Sequence, residues 1–238
     1  MKPVNGYKTG SNYTKIIGDD LANISDADAK KSRLAQKDFT TKMSGITGLD
    51  VPNPPSAKAA QSYFQGLADR GATPQQIKNE YGQYLKTFYR HPGGVDWNPK
   101  LDPKNIDSSF KQQPDAKDGK RLIDCEGFSA LSENVLGGIK KNGQPMFDIM
   151  HAGSPGHVVA GVFPHGGDPK QGFIVDNENV NGVTVNPLIE KQFNASSNMD
   201  TKKQFLLKTH MEGNKEGTPD SYGESINSMK SPHAKVKQ

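Results

Sequence analysis

The chain has 238 residues, 32% of them hydrophobic, with 30 basic and 26 acidic side chains giving a net charge of +4. So mild a charge, with no arginine-rich or aromatic–basic stripe, argues against nucleic-acid binding. No apolar run approaches the roughly 20 residues of a membrane span, and a single cysteine excludes an internal disulfide framework and a zinc cluster.

This length suits one good-sized domain with appendages. The segment 1–55 is rich in Lys, Asp, Ser, Gly and Thr, and its apolar residues are too sparse to sustain a period. It is expected to be a flexible N-terminal segment, with at most a weak helix over 26–42. The first residues, Met1-Lys2-Pro3-Val4-Asn5-Gly6, lack the apolar core of a secretory signal. The expectation is a soluble product made in the cytoplasm, whose export would use a route that reads no such signal.

Val51-Pro52-Asn53-Pro54-Pro55 marks a boundary, since prolines this dense stop regular structure. A domain over 56–212 follows, opening with a helical hairpin over 56–91. Ser56 caps its first helix and Gly71 stops it. Thr73-Pro74-Gln75-Gln76 combines an N-cap, a proline at the first helical position and a glutamine at the third, which is a capping box. Ile77, Tyr81, Tyr84, Leu85 and Phe88 then recur at helical spacing, the signature of a face packed into a core.

Residues 95–121 hold Pro99, Pro103, Pro114 and the single tryptophan, Trp97. They predict irregular structure bordering a cleft. A helix opens at Asp124-Cys125, with Phe128, Leu131, Val135 and Leu136 as its apolar face and Gly137-Gly138 as its end. Short strands follow over 145–150, 157–163, 172–177, 182–185 and 204–210, with one or two helical turns over 187–193. The catalytic part is thus placed in 121–212, and 213–238 reads as a flexible tail.

Three residues of the 124–176 stretch carry chemistry. A cysteine in the first turn of a helix feels the positive end of the helix dipole, which favours its thiolate. The free N–H groups of that turn can also stabilise an oxyanion. A lone cysteine is more often a small buried hydrophobe; the strand pattern sets Cys125 apart. His157 opens the run His-Val-Val-Ala-Gly-Val-Phe and Asp176 closes the run Gly-Phe-Ile-Val-Asp. An antiparallel register pairing 157 with 176, 159 with 174 and 161 with 172 keeps both on one face, their Cβ atoms about 4.5–5.5 Å apart. Thiol, imidazole and carboxylate are the parts of a cysteine hydrolase site. His151 and His165 fit the pattern less well, and His91, His210 and His233 read as ordinary surface residues.

Asp-Cys-Glu-Gly-Phe, then Gly-His-Val-Val-Ala-Gly-Val, then Gly-Phe-Ile-Val-Asp-Asn resembles the transglutaminase-like branch of the papain-fold cysteine hydrolases. It is most similar to bacterial transglutaminase-like cysteine proteinases, whose pattern runs Cys-Glu-Asp, Gly-His-Ala-Val and Leu-Asp-Asn. The resemblance covers residues 121–190. It implies Cys125 as nucleophile, His157 as general base and Asp176 as the acid that orients it. Gly127 stands where that family usually has an acid. A second resemblance is to the NlpC-type peptidoglycan amidases, which use Asp-Cys-Ser-Gly-Phe; Glu126 replaces that serine, and Asp176 replaces their usual third member.

The expected architecture is α+β, papain/transglutaminase-like, with the cysteine helix packed on an antiparallel sheet that carries His157 and Asp176. Trp97, Gln112 and Gln113 are candidates for an oxyanion side chain, and Glu126 and Asn177 for polar support of the site. No cofactor or metal is called for. The expected substrate is a protein or peptide, with a peptidoglycan peptide under the second resemblance. The profile suits a bacterial toxin or secreted effector, partnered by an immunity protein, a chaperone or a secretion-system component. A non-catalytic binding module on the same fold is the non-enzymatic alternative.

Overall fold

The computed structural model describes residues 24–91, 106, 117–154 and 157–213. It is a mixed helical and sheet protein in which a four-stranded antiparallel sheet has helices on both faces.

Helix α1 (Asp26–Thr47) is capped by Ser25, whose side chain accepts from the Asp28 N–H, and ends at the left-handed Gly48. Its inner face is Ala29, Gln36, Thr40 and Met43, all buried. Gln36 Nε2 donates to the Asp118 carbonyl at 2.8 Å, and the Phe39 ring stands edge-on to Tyr63 and Phe88 at 5.8 and 5.5 Å. This corrects the expectation of a loose segment over 1–55. From residue 26 to 47 the chain is part of the core, and its polar inner face is what hides it from a hydrophobic period. Residues 1–23 and the tail from 214 lie outside the described residues.

Helices α2 (Ala57–Asp69) and α3 (Pro74–Phe88) form the expected hairpin. Ser56 caps the first, and the Thr73–Gln76 capping box is complete at the second. Tyr63, Phe64, Tyr81, Tyr84 and Phe88 are fully buried in a chain of ring contacts 5.2–5.8 Å between centroids. Each such pair contributes about 0.5–1.5 kcal/mol beyond its buried area. The hydroxyls are satisfied: Tyr81 by Ser132 at 3.1 Å, Tyr84 by Tyr89 at 3.0 Å and Tyr63 by Glu80 at 2.7 Å.

Strand β1 (Tyr89–Arg90) leaves α3 and pairs in parallel with β2 (Arg121–Leu122). That pairing delivers the end of the hairpin to the start of α4 (Cys125–Leu136). Phe128, Leu131, Val135 and Leu136 of α4 are fully buried. A small hairpin, β3 (Lys140–Lys141) and β4 (Gln144–Pro145), leads into the main sheet. This is the meander β5 (Phe147–Ser154), β6 (His157–Pro164), β7 (Phe173–Asp176), β8 (Asn179–Gly182). Ala160, Val162, Phe173 and Val175 join the core of α1–α4, whereas Val159, Phe163 and Ile174 face a second core.

That second core is closed by α5 (Glu190–Ala195) and α6 (Met199–Gly213). Leu206, Leu207 and Met211 are its buried residues on α6. The strand expected over 204–210 is therefore a helix: Phe-Leu-Leu fits either period, and it is Lys203 and Met211 that extend the buried stripe at helical spacing. The strand expected over 182–185 sits earlier, at Asn179–Gly182. Helix α6 approaches closely at Gly161, where an added Cβ would come within 2.8 Å of Leu207 Cδ2. It is also tied by Lys203, whose Nζ donates to Asp148 Oδ2 at 2.8 Å, while Asp148 Oδ1 accepts from His165 at 2.7 Å.

Candidate active site

Cys125 is the first residue of α4 and is partly exposed. Asp124, nearly fully buried, caps the helix by accepting the Gly127 N–H at 2.8 Å. That capping leaves the N–H of Cys125 itself among the amides with no acceptor inside the helix. Gly127 has a steric reason: an added Cβ would stand 2.8 Å from Ile123 Cβ. No larger side chain fits at this position unless Ile123 shifts.

His157 opens β6 and Asp176 closes β7, and His157 Nε2 lies 2.9 Å from Asp176 Oδ1. The register differs from the expected one. Ala160 pairs with Val175, Gly161 with Ile174 and Val162 with Phe173, so Val159 stands opposite Asp176 and His157 is its diagonal neighbour. The shift is two residues and leaves each side chain on its face; the imidazole spans the diagonal. Gly172, just before β7 begins at Phe173, lies so close to β6 that an added Cβ would meet Val162 O at 2.9 Å.

Two partners drive His157 upward, from the ordinary 6.5 to about 10. The Asp176 hydrogen bond is the larger cause and a hydrogen bond with the Cys125 side chain the second; burial opposes both. With Nε2 engaged by Asp176, Nδ1 is the ring nitrogen left for the thiol. At neutral pH the ring is held as imidazolium, the form that stabilises a neighbouring thiolate. Burial would raise Asp176, but hydrogen bonds from His157 and His210 hold it well below the ordinary carboxylate range.

His210 and His91, read from sequence as surface residues, belong to this neighbourhood. His210 comes from α6, and its Nε2 lies 3.1 Å from Asp176 Oδ2. His91 follows β1 and is half-buried. Burial lowers its pKa, opposed by the charges of Glu178, Asp124 and Asp176 and reinforced by His157. Neither carries a local signal. One depends on the packing of α6 and the other on the parallel β1–β2 pair.

The other candidates divide. Trp97, Gln112 and Gln113 lie outside the described residues. Glu126 is exposed on the first turn of α4. Asn177 turns β7 into β8 with φ 51°, and its Oδ1, like Glu178 Oε2 beside it, is buried with no hydrogen-bond partner among the described residues. Two open clefts, about 530 and 370 Å³, run along α3 and contain none of the site residues, so chemistry rather than cavity size locates the site. Among the described residues no helix is long and apolar enough to cross a membrane.

Comparison with protein-family models, curated proteins and solved structures finds no match.

Proposed function

We propose that this protein is a cysteine hydrolase acting on an amide or peptide carbonyl, with Cys125 as nucleophile, His157 as acid–base and Asp176 as the residue that orients it. One observation carries the reading: His157 Nε2 lies 2.9 Å from Asp176 Oδ1, and the only thiol of the chain is near enough to help raise the pKa of that ring. A helix-start cysteine, a strand-start histidine and a carboxylate ending the next strand also match the order of the transglutaminase-like papain fold, the finer fold class proposed here.

In the proposed cycle the thiolate of Cys125 attacks the carbonyl carbon. The carbonyl electron pair moves to oxygen, where the Cys125 N–H at the start of α4 stabilises it. Collapse of this intermediate breaks the C–N bond as the His157 imidazolium passes its proton to the leaving amine. A thioester remains. Water then attacks it, losing a proton to the neutral His157, and the thiolate–imidazolium pair is restored as the acid leaves. An amine in place of water would make the same site an acyl transferase.

The test is reaction with iodoacetamide at pH 6, followed by intact mass. A free thiol of pKa about 8.5 is only about 0.3% thiolate there. Cys125 in the folded protein should label far faster than in the unfolded chain, and Cys125→Ala should take up no label. Equal rates for folded and unfolded chains would refute the reading.

A further inference from the structure

Asp176 meets two histidines, one on each oxygen. His157 Nε2 is 2.9 Å from Oδ1 and His210 Nε2 is 3.1 Å from Oδ2. The His210 side chain is 13% exposed, the more buried of the two rings. It stands on a fixed platform, since Leu206, Leu207 and Met211 of α6 pack against Val159, Phe163 and Ile174 of the sheet. Leu207 is held close over Gly161, and Lys203 ties the other end of the helix to Asp148. A carboxylate held by one hydrogen bond can still turn about its Cβ–Cγ bond. A second bond to the other oxygen fixes its plane.

We infer that His210 is a positioning residue of this site: its Nε2–H holds Asp176 Oδ2 so that Oδ1 stays aimed at His157, which makes the C-terminal helix part of the catalytic apparatus. The inference rests on the hydrolase reading above. It also fits the type of residue. An imidazole N–H can donate this bond to Oδ2 while Oδ1 stays with His157. The carboxylate so held stays paired with the His157 ring, in line with that ring's elevated pKa.

Two measurements test it. Nitrogen-15 NMR of the unmodified full chain at neutral pH should show His210 as the Nε2–H tautomer. His210→Gln and His210→Met then give side chains of equal length, of which only glutamine can donate. With iodoacetamide at pH 6, His210→Met should alkylate Cys125 about tenfold more slowly than the parent, the scale of a modest misalignment. The same variant should lower the His157 titration midpoint by about one pH unit or more, and His210→Gln should stay within about threefold of the parent rate. An Nδ1–H tautomer at His210, parental rate and midpoint in His210→Met, or equal losses in both variants would overturn the inference. The tautomer measurement needs no variant, so a His210→Met chain that fails to fold leaves the inference open to refutation. An unreactive Cys125 in the parent would sink the hydrolase reading alone, because the His210–Asp176–His157 linkage is read from the tautomer and the midpoint.

Discussion

The two ends of strand β6 use the same device for different purposes. At one end His157 meets Asp176, whose second oxygen takes His210 of α6. Just past the other end His165 meets Asp148, whose second oxygen takes Lys203 of α6. Each is a carboxylate gripping one histidine, at or just past an end of β6, and one residue of the same helix. The His165 side chain is 44% exposed, against 32% for His157, and Asp148 is 30% exposed against 17% for Asp176. The decisive differences are chemical. A thiol adjoins His157. Lys203 sets an ammonium group on Asp148, whereas His210 sets an imidazole on Asp176. The Lys203 end is a staple; the other end sets a thiol beside its histidine, the arrangement on which the proposed hydrolase reading rests.

The sharpest way to break this comparison is to remove each histidine. At pH 6, His157→Ala should slow alkylation of Cys125 by about 10², the low end of what a positioned acid–base side chain contributes. His165→Ala should leave the rate within about twofold. Comparable losses in both would mean that the two ends do not differ in function.

The carboxylates give a smaller contrast. Asp176→Asn keeps the shape but removes the charge, and can present an N–H₂ where His157 needs an acceptor. The corresponding change in a serine-protease triad costs on the order of 10⁴ in turnover. A cysteine enzyme starts from a better nucleophile, so the expected loss here is roughly 10–10³ in turnover of a responsive amide substrate, or in thiol labelling rate. Asp148→Asn should leave that rate unchanged and lower Tm by about 2–4 °C, the scale of 1 kcal/mol in a domain of this size. Parental activity in Asp176→Asn would remove Asp176 from the site.

What the sequence disclosed follows the same division. Cys125, His157 and Asp176 were legible because each sits at an element boundary, where a cap or the end of an alternating run marks its position. Their shared face survived a two-residue error in register because strand parity repeats every two residues. The true register goes with a close approach of Gly172 to Val162, a steric contact that no local pattern shows. Helix α1 was hidden because Gln36 and Thr40 fill its inner face, bonding to backbone carbonyls instead of supplying an apolar stripe. His210 was lost with its helix: a segment read as a strand at the edge of the tail gave no reason to bring that ring to Asp176. Local chemistry was readable, and what remained hidden was set by which elements pack together.

The smallest expected effect separates the two ends by pH. His157 is raised from 6.5 to about 10 in the folded protein, so its ion pair with Asp176 stabilises the fold fully below about pH 6.5 and is lost as the pH climbs toward 10. Burial would lower Lys203, but Asp148 and Asp200 raise it above its ordinary 10.5, so that pair persists through the same interval and fails only above it. Both carboxylates lie below their ordinary 3.8, so acid weakens both ends together and does not distinguish them. The window that does is pH 7 to 10. Across it, the Tm deficit of Asp176→Asn relative to the parent should shrink, by about 2 °C for each half to one kcal/mol of ion pairing lost. The deficit of Asp148→Asn should hold constant, because the Lys203 ammonium remains charged throughout. Scanning calorimetry of the three proteins at pH 7, 8.5 and 10 reads both trends directly. Parallel trends would mean that His157 is already neutral at pH 7, which would remove the imidazolium from the proposed resting site.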